Sequence, residues 1–187
     1  VLEAAASIGF NQALADPGFQ RRMMQRCERR GWGEHSDALQ AGLQAWLTTP
    51  LAPDNSGLVL GQLTRYRAEP DFWFTTHQTP TSAIDRLVRT AIHPDAPRPT
   101  LGYQTLNGLM KGFIDLLVEH AGRYWIIDWK SNWLGPDDAA YSTDALQQAM
   151  LEKRHDLQLA VYLLALHRHL RQTLQDYDYE RHVGGAQ

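Results

Sequence analysis

The chain has 187 residues, 43% of them hydrophobic and 21% charged, with a formal net charge of −3. That suffices for a single domain with a real core, and it excludes a globally basic nucleic-acid binder, so any DNA contact has to be a local patch. The lone cysteine, Cys27, excludes an internal disulfide and a cysteine-rich zinc or iron–sulfur site, and no GxxxxGK[ST] loop offers an ATP site.

Val1 to Phe10 reads as the end of a helix. Pro17 can open the next, with Phe19, Met23 and Cys27 at helical spacing and Gly31 and Gly33 as breakers. Ser36 is expected to N-cap a helix carrying Leu39, Leu43, Trp46 and Leu47. Pro50 and the PDNSG run read as a loop. A strand is expected around Arg67 to Thr75, with Pro70 marking an edge or bulge. Ser82 to Ala91 carries a weak helical pattern, and His93 to Thr100 is a proline-rich connection. Two strands follow, Gly112 to Glu119 and Arg123 to Lys130, then a long helical region from about Tyr141 to Gln175. No repeat and no low-complexity segment is present. No apolar run is long enough to span a bilayer, so no membrane partner is expected, and the lone cysteine fits a reducing, cytoplasmic setting.

The stretch GFIDLLVEHAGRYWIIDWKSNW carries the chemistry. A tight turn on Ala121–Gly122 makes its two strands an antiparallel hairpin. With a symmetric loop, Asp115 stands directly opposite Asp128, Cβ atoms about 4.5–5.5 Å apart, and Phe113 opposite Lys130. Lys130 lies two residues beyond Asp128 and shares its face. Two facing carboxylates repel, and a divalent cation such as Mg²⁺ offsets that, since it favours a few carboxylates plus waters and phosphate oxygens. A lysine beside them can polarise a phosphate or orient a water. The set suits metal-assisted phosphodiester hydrolysis. The plainer alternative is an Asp capping a loop and Lys130 in a structural ion pair.

GFID followed by IIDWKSNWLG resembles the PD-(D/E)xK nuclease signature in the form D…DxK. MKGFIDL, DWKSNWLG, HDLQLAVYLLALHRHLR and DYDYERHVGG together resemble the family of the C-terminal nuclease domain of RecB, closely from Leu109 onward and more weakly from Val1 to Phe74. The resemblance implies an α/β, restriction-endonuclease-like fold with a central mixed sheet flanked by helices. It implies Asp115 and Asp128 as metal ligands with the backbone carbonyl of Trp129, Lys130 as the catalytic lysine, and Gln158 and Tyr162 as a QxxxY pair that supports the site or the DNA. Glu69, in RAEPDF, falls where related nucleases carry an acidic residue near the metal.

The same resemblance implies an exodeoxyribonuclease of the helicase–nuclease type, acting on single strands from duplex ends in double-strand break repair and recombination. Its metal is Mg²⁺, which Mn²⁺ or Ca²⁺ can replace in binding, and its partners are DNA, RecC-like and RecD-like subunits and a RecA-like recombinase. The family's histidine ligand, in a GxxxH phrase, would fall before Val1. The chain is therefore expected to be a piece of a larger protein that binds metal weakly alone. Residues 1–57 are expected to form the helical start and 58–187 the core of one nuclease domain. The competing class is a non-catalytic nuclease-like module that binds DNA or a partner.

Other residues bear on the same chemistry. His167 and His169, two apart on a helix, are expected in solvent. His155 lies one turn before the Gln158 face. Lys153, Arg154, Arg168 and Arg171 make the late helices locally basic, either as a solvated face or as a track for a DNA strand. Trp125 and Trp129 read as core, and Trp133 as the exception that could stack on a base. Lys111 is either a surface lysine or a phosphate-steering one.

Overall fold

The computed structural model describes residues 2–13, 15–51 and 57–186. In chain order its elements are α1 (Leu2–Ile8), α2 (Phe10–Ala13), α3 (Pro17–Arg29), α4 (Ser36–Thr48), β1 (Tyr66–Ala68), β2 (Asp71–Pro80), α5 (Thr81–Ala91), β3 (Thr105–Phe113), β4 (Leu116–His120), β5 (Arg123–Ile127), α6 (Thr143–Glu152), α7 (His155–Thr173), α8 (Tyr179–His182) and β6 (Val183–Ala186). They divide into two compact units, Val1–Pro70 with Asp115–Ile127, and Asp71–Ile114 with Asp128–Ala186. The PDNSG loop expectation lies outside the described residues except for Gly57.

The first unit begins with α1 to α4. Pro17 opens α3 as expected, and Asp16 caps it, its carboxylate accepting from the Gly18 and Phe19 N–H groups at 2.9 and 3.0 Å. Phe19, Met23 and Cys27 form the buried stripe of α3. Ser36 does not cap α4. A 3₁₀ turn over Gly33–His35 leads straight into the helix, and Ser36 is already helical. Leu43 and Leu47 are buried, whereas Trp46 is exposed. The strand expected from Arg67 to Thr75 is two strands, since Glu69 takes a left-handed φ of 49° before Pro70 and pairing changes partner there.

β4 and β5 form the expected hairpin, paired from His120↔Arg123 to Leu116↔Ile127. Ala121 and Gly122 have φ of 51° and 76°, the signature of a type I′ turn whose twist matches the strands. β1 pairs antiparallel on the other edge of β4. Alternation buries Leu116, Val118, Trp125 and Ile127, with Ile126 also covered.

In the second unit β2 and β3 make a long antiparallel ribbon. Gly112 and Phe113 belong to β3, not to the β4 strand. Phe113 pairs with Asp71, so the expected pairing with Lys130 is not formed, and extended pairing in the hairpin stops at Ile127. The N-terminal half of β3 was missed because Asn107 and Gly108 interrupt its pattern. The late helical region is two helices. Arg154 adopts φ 56°, ψ 34° between α6 and α7, which resets the helix axis. Leu151, Tyr162, Ala165, Leu166 and Leu170 form the core of these helices.

Candidate functional site

Ile127 ends β5, and the chain continues through Asp128, Trp129 and Lys130 outside regular secondary structure. The Lys130 ammonium ion-pairs with the Asp128 carboxylate. It also donates to Gln158 Oε1 at 2.7 Å. Gln158 Nε2 in turn donates to the Tyr162 hydroxyl at 2.7 Å. Gln158 and Tyr162 share one face of α7, four residues apart, so a single helix ridge holds the amide and its acceptor. Tyr162 is buried, its ring edge-on to Phe72 of β2 at 5.8 Å. Phe72 stacks on Phe74 at 5.9 Å, and the Arg168 guanidinium lies over Phe74 at 5.7 Å. The result is a relay from an apolar anchor to a charged group: ring, hydroxyl, amide, ammonium, carboxylate.

The base of α7 is fixed by ions. Arg98 donates to Asp156 at 2.8 Å, with side chains 0% and 1% exposed. Arg154 donates to Asp156 at 3.0 Å and pairs with Asp85 of α5 at 2.6 Å. Arg89 bonds Asp85 at 3.1 Å and donates to the Arg98 carbonyl, and Arg98 donates to the carbonyls of Ile92 and Ala96. Burial pushes the Asp85 and Asp156 carboxyls up, but the arginine hydrogen bonds outweigh it and hold both below the ordinary carboxylate value. Burial, then the Lys130 charge, lowers His155 and favours its neutral imidazole.

Arg154 was expected on a basic face and instead serves this network, with its side chain only 10% exposed. Arg98, Asp85 and Asp156 were not singled out by sequence reasoning. Arg154-x-Asp156 at a helix start was the one available cue; nothing local marks Arg98. His167 is also not simply solvated, since its Nδ1 meets the Tyr177 hydroxyl at 2.8 Å, whereas His169, Lys153 and Arg171 are exposed. Trp125 is buried, Trp129 half-buried and Trp133 76% exposed, so Trp133 is open to a stacking partner. Lys111 sits over the Trp73 and Phe113 rings at 4.2 and 4.8 Å.

Asp115 and Glu69 belong to the first unit. Asp115 directly precedes Leu116, which pairs with Ile127 on one side and Ala68 on the other. The Glu69 N–H donates to the Asp115 carbonyl at 3.0 Å, and the Glu69 side chain is exposed. The structure thus joins Asp128, Lys130, Gln158 and Tyr162 in one cluster, and links Glu69 to Asp115 through a backbone hydrogen bond.

Among the described residues no group of three or more His, Cys, Asp and Glu side chains is placed to hold a metal. Carboxylate and carbonyl oxygens are nonetheless the donors Mg²⁺ takes, and Mg²⁺ is held by one or two carboxylates with waters completing the shell. The donor chemistry of Asp128, Asp115 and the Trp129 carbonyl therefore fits that ion and does not fit zinc.

A model of the PD-(D/E)XK nuclease superfamily matches residues 15–185. The RecBCD enzyme subunit RecB of Escherichia coli (strain K12) is 43% identical over 184 residues, 96% of this chain and 15% of that protein. The subunit of the same name from Haemophilus influenzae is 33% identical over 154 residues, 81% of this chain and 12% of the relative. The chain therefore spans only about one seventh of the length of these curated relatives.

Proposed function

Because the chain belongs to the PD-(D/E)XK nuclease superfamily, whose core is α/β and restriction-endonuclease-like, we propose that it is the Mg²⁺-dependent, DNA-cleaving domain of a helicase–nuclease of the exodeoxyribonuclease V type. The observation that carries this reading is the placement of Lys130. Its ammonium lies on the Asp128 carboxylate and is tethered through Gln158 to the buried Tyr162. A buried anchor that orients one exposed cation is costly in side-chain entropy, and it is justified where that cation must meet a particular atom.

In this reading Asp115, Asp128 and the Trp129 carbonyl hold the metal. The hairpin register supports it, since Leu116↔Ile127 is the last pair and the two aspartates are the next residues along their strands. A bound Mg²⁺ supplies neutralisation of the two carboxylates and polarisation of the scissile phosphate. Lys130 donates to a phosphate oxygen or orients the attacking water, with Gln158 keeping the ammonium aimed. Glu69 is a candidate to hold a further water at the same edge. The helical start and the core act as one nuclease domain, in a cytoplasmic setting. The DNA is a single strand delivered from a duplex end. Assembly with RecC-like and RecD-like subunits and a RecA-like recombinase belongs to the same reading, resting on the relatives' name and on the resemblance. The histidine that the resemblance places upstream would complete the metal site.

The test compares cleavage of linear single-stranded DNA with and without Mg²⁺, using the chain extended upstream through that histidine. Asp128→Ala and Lys130→Ala should each lose activity by at least about 100-fold. Equal activity in all three proteins sinks the mechanism and favours a non-catalytic DNA- or protein-binding module.

A further inference from the structure

The buried stripe of α3 is flanked by an exposed row rich in arginine. Arg22, Arg26 and Arg30 recur every fourth residue and line a cleft of about 520 Å³ floored by Phe19, Met23 and Cys27. Four residues of helix rise by about 6 Å, so the three guanidiniums form a row with one cation per step. That step is commensurate with successive phosphates of an extended nucleic-acid strand. Arg21 and Arg29 add charge on the same helix, against Glu28 alone. The net charge of −3 for the chain makes this row a local concentration of positive charge, not an average property.

The end of the row carries an aromatic. α3 closes with Gly31 at φ 71°, the Gly31 N–H donating to Glu28 and the Trp32 N–H to Cys27 at 3.0 and 2.8 Å. This paired closure fixes where Trp32 leaves the helix. Trp32 lines the same cleft, is 49% exposed, and has the Arg30 guanidinium 5.9 Å from its ring centre. A half-open indole beside a row of guanidiniums is the combination that single-stranded nucleic-acid sites use: cations for the backbone and a π-face for a base. Two acidic groups face the row. Asp16 pairs with Arg22 at 3.4 Å in solvent, and Glu3 lines the cleft. The Asp16–Arg22 pair is solvent-exposed and gives way to a phosphate at small cost, so the whole row can take an anion.

We propose that the α3 cleft binds a single strand of DNA, with Arg22, Arg26 and Arg30 on successive phosphates and Trp32 stacked on a base. The choice of DNA over another polyanion rests on the nuclease reading; the binding itself does not. The probe is a fluorescein-labelled oligothymidylate, its anisotropy followed in EDTA so that no cleavage contributes, across a range of salt concentrations.

Arg22→Gln/Arg26→Gln/Arg30→Gln should weaken binding and flatten the slope of log affinity on log salt by about 2, three phosphates at about 0.7 each. Trp32→Ala should cost roughly tenfold without changing the slope. The triple lysine variant should restore the slope, which separates loss of charge from loss of fold, and melting temperatures should stay within a few degrees of wild type. Wild-type affinity and slope in the triple glutamine variant, or no binding by the wild-type chain, would overturn the proposal, leaving a solvated face or a site for an acidic protein. Cleavage lost in Lys130→Ala while this binding persists would show that the two readings stand or fall separately.

Discussion

Arg98 and Asp156 form a hydrogen-bonded ion pair at 2.8 Å from which solvent is excluded. Asp156 stands two residues before Gln158 on α7, and Gln158 holds Lys130. The pair therefore supports the first turn that presents the site. Asp156→Ala leaves Arg98 and Arg154 facing an apolar gap, and removing one partner of a buried pair costs about 3–5 kcal/mol. Chemical denaturation should show a loss of that size in unfolding free energy, with Arg98→Ala giving a comparable loss.

The same network sets an acid limit. Asp85 and Asp156 ionise below the ordinary carboxylate value, because their arginine partners outweigh burial. Their contribution is fully present above the unfolded value of about 3.9 and disappears as pH falls through the lowered folded values. Stability should therefore decline with a steep component below about pH 4. In Asp85→Asn that component should be smaller and the neutral-pH stability lower. A thermal-melt series across pH reads both.

Gln158→Ala should leave the fold intact and slow cleavage about tenfold, since it removes orientation of Lys130 and not its charge. Tyr162→Phe removes the acceptor for Gln158 Nε2 and should cost about 1 kcal/mol of stability with a smaller kinetic effect. Single-turnover rates on a labelled strand distinguish the two. Full activity in Gln158→Ala would show that the tether has no catalytic consequence.

Gly112 pairs with Phe72 across the ribbon, and a Cβ there would overlap the Phe72 ring. That ring is held against Phe74 and Tyr162. Gly112→Ala should destabilise by about 1–3 kcal/mol through overpacking. It should also reduce cleavage, because Phe72 can yield only by moving the Tyr162 anchor. Restored stability and rate in Gly112→Ala combined with Phe72→Leu would confirm the route.

Ala121 occupies a left-handed turn position at φ 51°, where a Cβ is strained. Ala121→Asn provides the residue a type I′ turn favours and should stabilise by about 0.5–1 kcal/mol. The melting temperature should rise by a few degrees with cleavage unchanged.

Local pattern was sufficient for several features. The β4–β5 hairpin was legible because a two-residue turn between alternating apolar runs permits only one register that buries Leu116, Val118 and Trp125 together. The start of α3 at Pro17 and the helical pairing of Gln158 with Tyr162 were legible for the same reason, each depending on neighbours in the chain. The family phrases around Asp115 and Asp128 pointed to the nuclease superfamily whose model matches residues 15–185.

What the chain order could not reveal was which charges are spent on the fold. Lys153, Arg154 and Arg168 look alike in sequence, yet one is in solvent, one is buried between two aspartates and one covers a phenylalanine ring. Arg98 meets Asp156 from 58 residues away. Such partnerships arise only when packing removes water, since burial alone makes an unpaired charge costly enough to demand a partner. The sequence by itself determined the hairpin, the D…DxK residues and the nuclease class. Tertiary structure decided that Lys130 is held by Gln158, and that Arg22, Arg26 and Arg30 line an open cleft, because which side chains share a cavity depends on packing between distant segments.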